Sequence, residues 1–123
     1  REIRRVLKHG SRLVLSEVAR GAGPEPQYPT PWAQSAQTSF LATPEETRRG
    51  LERAGFEVVK MRDTVAETLE FSKRSRAMLE RGEKPPHRAV ALIHGELARE
   101  ATANTTRGVA EGRLIPIEVG ALR

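Results

Sequence analysis

Cysteine is absent from the 123 residues. No disulfide can form and no thiolate can hold a metal, so a reducing cytoplasm is the default expectation. Aromatic residues are scarce, and all five are Tyr28, Trp32, Phe40, Phe56 and Phe71. A core must therefore be assembled from Leu, Val, Ile and Ala. Long apolar runs are also missing: none approaches the ~20 residues of a membrane-spanning helix, so no membrane partner is expected. The histidines His9, His87 and His94 lack metal-ligand spacing, and no serine sits on a plausible strand-to-helix elbow for nucleophilic catalysis. No metal site is expected.

What is present suits one small domain with a thin core. Hydrophobic residues make up 37% of the chain, charged residues 30%, and the net charge is +5. The basic residues are mostly Arg, scattered among Glu, and the nearest approach to a basic run is Lys73-Arg74-Ser75-Arg76. A nucleic-acid footprint concentrates such charge in a patch interleaved with aromatics. The dispersed pattern describes solvated helix faces instead, so no nucleic-acid partner is expected.

The chain opens on Ile3, Val6 and Leu7 at helical spacing, a break at His9-Gly10-Ser11, and the apolar run Leu13-Val14-Leu15. This reads as a helix end over 1–8, a tight turn and a strand over 12–18. Arriving with no lead-in, it suggests a chain that begins inside a fold. Residues 19–39 form a connection rich in Pro and Gly, and Tyr28 and Trp32 within it argue against a disordered linker. Thr43-Pro44-Glu45-Glu46 carries a capping box with Pro at the first helical position. The helix it starts ends at Gly55, and Phe56–Met61 follows as a strand. Asp63 or Thr64 caps the next helix, with Glu67 completing a box after Thr64, and that helix runs to about Arg81 and stops at Gly82. After Pro85-Pro86, a last helix is predicted from Arg88 to Glu111, with Val90, Ile93, Leu97 and Ala101 on its inner face. Leu114–Ala121 closes the chain as a strand, where Pro116 belongs near the strand start or at a bulge.

These segments resemble a known family. Arg5-Val6-Leu7-Lys8-His9-Gly10-Ser11-Arg12-Leu13-Val14-Leu15-Ser16-Glu17-Val18 is similar to the helix-turn-strand that leads into the fifth strand of class I S-adenosylmethionine-dependent methyltransferases. Ser39–Glu46, with Leu51-Glu52-Arg53-Ala54-Gly55-Phe56-Glu57-Val58-Val59, resembles the family's next helix and sixth strand. The resemblance covers nearly the whole chain and points to the small-molecule, "methyltransferase type 11"-like branch. It implies an α/β fold that looks α+β in isolation: the C-terminal portion of a Rossmann-like sheet, with three strands and three to four helices. The closing strand would be antiparallel and inserted between the other two. Residues 64–112 would be a two-helix insertion, and 19–39 the connecting loop. His9 and Ser11 replace the family's usual Pro and Gly, and Ser11 is expected to need positive φ.

The cofactor-binding N-terminal half has no counterpart. Gly21-Ala22-Gly23-Pro24 contains glycines, but Pro24 and Pro26 forbid the helix that such a loop must feed. No cofactor is therefore expected to bind this chain, although the resemblance implies S-adenosylmethionine for a full-length member. The resemblance assigns the chain to the acceptor side of a methyltransferase acting on a small molecule, inactive alone. The candidate acceptor-binding residues are Tyr28, Trp32, Arg76, Arg88, His94 and Asn104. Arg88 could pair with an acceptor carboxylate, and the other five also have structural readings: Tyr28 and Trp32 pinning a loop, Arg76 snorkelling at a helix margin, His94 hydrogen-bonded at the edge of an apolar stripe, and Asn104 making a local helix contact. Lacking its neighbour, the strand at Leu13–Leu15 would be an open apolar edge. A homodimer through that edge, or pairing with the missing N-terminal half, is expected. Two other readings stay open: a non-enzymatic dimerising or partner-binding module, and a small-ligand-binding protein.

Overall fold

The structure, a computed structural model, describes residues 1–83 and 89–123. In chain order it contains α1 (Glu2–Val6), β1 (Arg12–Arg20), a 3-10 turn (Ala36–Thr38), α2 (Pro44–Arg53), β2 (Glu57–Asp63), α3 (Val65–Glu80), α4 (Ala89–His94), α5 (Leu97–Ala110) and β3 (Leu114–Leu122). The sheet order is β1-β3-β2, with β3 antiparallel to both neighbours. The closing strand thus lies between the other two, as the resemblance implied. Because Arg20 pairs with Leu114 and Asp63 with Ile117, the carboxyl ends of β1 and β2 share one pole of the sheet. The loop after β1 and the end of α5 meet at that pole.

Period-2 alternation decides the faces. Leu15 and Ala19 of β1, Ile115, Ile117 and Val119 of β3, and Val58 and Met61 of β2 point one way, and Leu51 of α2 packs on them. Ile117 and Val119 are fully buried, which contributes about 1.5–3 kcal/mol each, and the partly buried members contribute less. The other face carries a polar row in which Ser16 pairs with Glu118 and Glu118 with Arg62. Arg62 bonds Glu118 at 2.8 Å and also Glu67. Glu67 holds the Arg62 guanidinium charged beyond its ordinary range, with help from Glu118, while Arg62 draws the Glu67 carboxyl below its own. On an exposed face such pairs add little stability.

The α2 start forms as its residues require. The Thr43 hydroxyl accepts from the Glu46 N–H at 3.2 Å, and the Thr43 N–H donates to Glu46 Oε2 at 2.8 Å. Pro116 is the third residue of β3. Its carbonyl accepts from Thr64 N–H at 2.8 Å, and a strand residue's N–H and C=O point to the same side. The missing N–H therefore faces the level where β2 has already ended at Asp63. The bulge lies elsewhere, between Val58 and Lys60.

Four expectations need correction. The α3 capping box does not form: Thr64 is buried and its hydroxyl turns to the Pro116 carbonyl, while Glu67 turns to Arg62. Ser11 keeps negative φ because Gly10, at +75°, takes the turn. The last helix is broken at Gly95 (φ +55°) into α4 and α5, so five α-helices stand among the described residues rather than three to four. That break rotates the face. Ile93 is 76% exposed, and the buried side of α5 is Ala98, Ala101, Asn104, Gly108 and Val109. The predicted helix start at Arg88 lies outside the described residues. No helix among the described residues is long and apolar enough to cross a membrane.

Removing the α2 cap by Thr43→Ala is expected to cost about 1 kcal/mol in denaturant unfolding. The Thr43 N–H, with the Thr43 side chain, holds the Glu46 carboxyl below its ordinary range. A carboxyl lowered in the folded state stabilises fully above its unfolded value and ceases to do so as pH falls through the lowered one. The melting-temperature gap between wild type and Glu46→Ala should accordingly narrow as pH drops through the acid range.

Candidate functional site

Between β1 and α2 the chain forms a strap across the sheet pole. Arg20 N–H donates to Ala42 O at 2.8 Å, closing the strap on the end of β1. Its first residues lie flat on the α5–β3 corner, where Gly21 N–H donates to Arg113 O at 2.8 Å and Gly23 N–H to Gly112 O at 3.0 Å. A Cβ on Gly21 would collide with the Gly112 carbonyl oxygen, and one on Gly23 would lie 2.9 Å from it. The approach is thus possible only for glycine. Further along, Arg113 donates to Glu25 O at 2.6 Å, Arg107 to Gln27 Oε1 at 2.6 Å, and Asn104 Nδ2 to Pro29 O at 3.0 Å. Thr30 and Ala33 close a small turn with reciprocal backbone bonds.

The candidate residues separate. Tyr28 and Asn104 meet through the strap: Asn104 is buried beneath Pro29, and the Tyr28 hydroxyl reaches Glu25 at 3.4 Å. Asn104 is thus a clamp reaching across the fold. Trp32 lies further along, its Nε1–H donating to Ser39 Oγ at 3.2 Å. Arg76 is exposed on α3, and His94 is half-buried at the end of α4. Arg88 lies outside the described residues.

Trp32 lines an open groove of about 390 Å³ with Val18, Thr38, Phe40 and Leu41. Val18 comes from the polar-row face of β1, and Phe40 is 91% exposed. The lining carries no charge. The Thr38 hydroxyl donates to Ser35 O at 3.1 Å, and the Trp32 N–H is already used. The groove offers apolar surface and shape rather than a group to move a proton. Sequence reasoning overlooked Phe40, Leu41 and Val18, although Phe40 was visible as one of only five aromatics. Arg107 and Arg113, which hold the strap, gave no signal among so many arginines. Among the described residues, no group of three His, Asp or Glu gathers that could hold a metal ion.

Known structures share this arrangement. A phosphoethanolamine N-methyltransferase 2 of Haemonchus contortus in complex with S-adenosyl-L-methionine superimposes with a TM-score of 0.67 at 14% identity. The same enzyme with phosphomonomethylethanolamine and S-adenosylhomocysteine gives 0.68 at 14% identity. The match covers 98% of this chain and 28% of each enzyme chain. The [4+2]-cyclase SpnF gives 0.54 at 22% identity over 99% of this chain and 43% of its own. The chain shares the fold of part of these proteins and spans less than half of their length. No protein-family model matches the sequence, and no curated protein does. That neighbours named as a methyltransferase and a cyclase share the fold means that chemistry must be argued from the site.

The stretch Gly21-Ala22-Gly23-Pro24 does not fit a glycine-rich loop for S-adenosylmethionine. Glycines serve such a cofactor by letting it approach the backbone at a helix start. Here Gly21 and Gly23 spend that closeness on the Gly112 carbonyl, and the prolines that follow lead into the strap.

The strap's anchoring can be tested by substitution. Gly21→Ala is expected to destabilise by about 1–3 kcal/mol through overpacking, and Asn104→Ala by about 1–2 kcal/mol through the lost bond to the Pro29 carbonyl. Urea unfolding measures both. His94→Ala should change little by comparison.

Proposed function

We propose that this chain is the acceptor-side portion of an S-adenosylmethionine-dependent methyltransferase of the small-molecule branch, inactive by itself. One observation carries the reading: the antiparallel strand set between two parallel ones, with the strap and groove at their carboxyl ends, superimposes over 98% of the chain on a phosphoethanolamine N-methyltransferase. In this reading the whole protein transfers a methyl group to a nucleophilic atom of a small molecule. Trp32 and Phe40 wall the acceptor, and Tyr28 and Asn104 keep the strap in place. Arg76 and His94 do not line the groove and receive no acceptor role from it, and Arg88 lies outside the described residues.

Trp32 is the single tryptophan, so its emission reports on the groove directly. Titration with small neutral phenols and amines is expected to shift or quench it saturably. No response to any of them would sink the acceptor assignment. Calorimetry of the protein with S-adenosylmethionine should show no stoichiometric binding, and tight one-to-one binding would overturn the claim of inactivity.

A second reading rests on the sheet edge. Among the described residues β1 pairs only with β3, and Val14 is 75% exposed beside the unpaired edge. Such an edge favours pairing with another strand, from a second copy or from a preceding half of the fold. Light scattering is expected to give a dimer mass that Val14→Lys reduces to a monomer. A monomeric wild type would rule out self-pairing.

A further inference from the structure

A second groove, of about 410 Å³, lies at the opposite pole of the sheet from the strap, where α1, the end of α2 and the end of β3 converge. Its lining is Arg1, Arg4, Arg5, Ala54 and Arg123. The clustering follows from periodicity. Positions 1, 4 and 5 have the i, i+3, i+4 spacing that places side chains on one helix face. Arg123 extends the β1–β3 ladder, its N–H donating to Ser11 O at 3.0 Å and its carbonyl accepting from Gly10 N–H at 3.0 Å. Alternation turns residue 123 to the same side as Val119 and Ala121, toward α2.

These guanidinium groups are poorly neutralised. Arg5 pairs with Glu2 at 2.7 Å, but both side chains are largely exposed. Arg4 donates through Nε to Gly55 O at 3.0 Å, a bond that engages neither terminal nitrogen. Arg123 Nε is buried with no acceptor at all, and a buried donor of that kind calls for a partner. Arg49, Arg74 and Arg81, away from this groove, are paired with Glu45, Glu70 and Glu83 respectively. Four arginines thus share one groove, and among the described residues only Arg5 of the four is paired with a carboxylate.

We propose that this groove binds a phosphate-class oxyanion carried by a small molecule. Planar guanidinium forks match phosphate oxygens with paired hydrogen bonds, and an entering oxygen supplies the acceptor that Arg123 Nε lacks. The site is separate from the acceptor groove and does not depend on the methyltransferase reading.

The test is calorimetric titration of the protein with inorganic pyrophosphate at low salt. One saturable site is expected, weakening as salt rises. Arg123→Gln should weaken it about tenfold or more, Arg1→Gln should weaken it measurably, and Arg81→Gln, remote and paired with Glu83, should leave it unchanged. Arg1 is exposed, so that variant decides the matter if Arg123→Gln does not fold. Absence of saturable binding, or equal loss in all three variants, overturns the proposal. So does a short RNA that displaces pyrophosphate with a stoichiometry growing with its length.

Discussion

Strand β3 is the constraint on which the rest of the fold depends. Every residue of β1 from Arg12 to Arg20 has its partner on β3, and among the described residues β2 pairs with no other strand. The largest fully buried side chains, Leu114, Ile117 and Val119, all belong to it. Among the described residues, β1 and β2 are joined in the sheet through this last segment of the chain. The fold is therefore closed by contacts between distant parts of the sequence, which carry a high loop-closure cost until β3 docks. Leu114 also sets the depth of α5, because a Cβ on Gly108 would come within 2.7 Å of its side chain.

Once β3 is in place, the turn that leads into it fixes the strap. The corner at Gly112 and Arg113 presents the carbonyls on which Gly21 and Gly23 lie, and the Arg113 side chain reaches Glu25. The strap in turn carries Trp32 and Phe40 to the end of β1, where Val18 completes the groove. A surface loop is held in this way by side-chain donors of α5 and by the side chain and carbonyls of the turn that follows it, consistent with binding groups sitting on loops positioned by a rigid scaffold.

Much of the fold was legible in local sequence. The Thr43–Glu46 box, the stops at Gly55 and Gly82, and the three strands depend on neighbours in the chain and emerged as expected. The misreadings fell where tertiary partners compete with local ones. Thr64 abandoned its cap for the Pro116 carbonyl, and Glu67 abandoned it for Arg62. The apolar stripe of the last helix was read through Gly95 as if the helix were continuous, so Ile93 and Leu97 were placed inside. Of the candidate site residues, Tyr28, Trp32 and Asn104 were found at the strap and groove, because aromatics in a Pro-rich loop and a polar residue in an apolar stripe are unusual in themselves. Their companions Val18, Phe40 and Arg113 were missed, since an ordinary strand residue or one arginine among many carries no local mark.

Composition and periodicity by themselves determined the number and kind of strands, the cysteine-free chemistry, the start of α2 and the dispersal of charge. These are properties of single residues and short windows, where propensity and capping act over a few positions. Only the tertiary structure decided that Asn104 would clamp Pro29, that Gly21 would lie against Gly112, and that Arg1, Arg4, Arg5 and Arg123 would share one groove. Each of these joins residues far apart in the chain, and their meeting is dictated by the register of β3 between β1 and β2 rather than by anything within either segment.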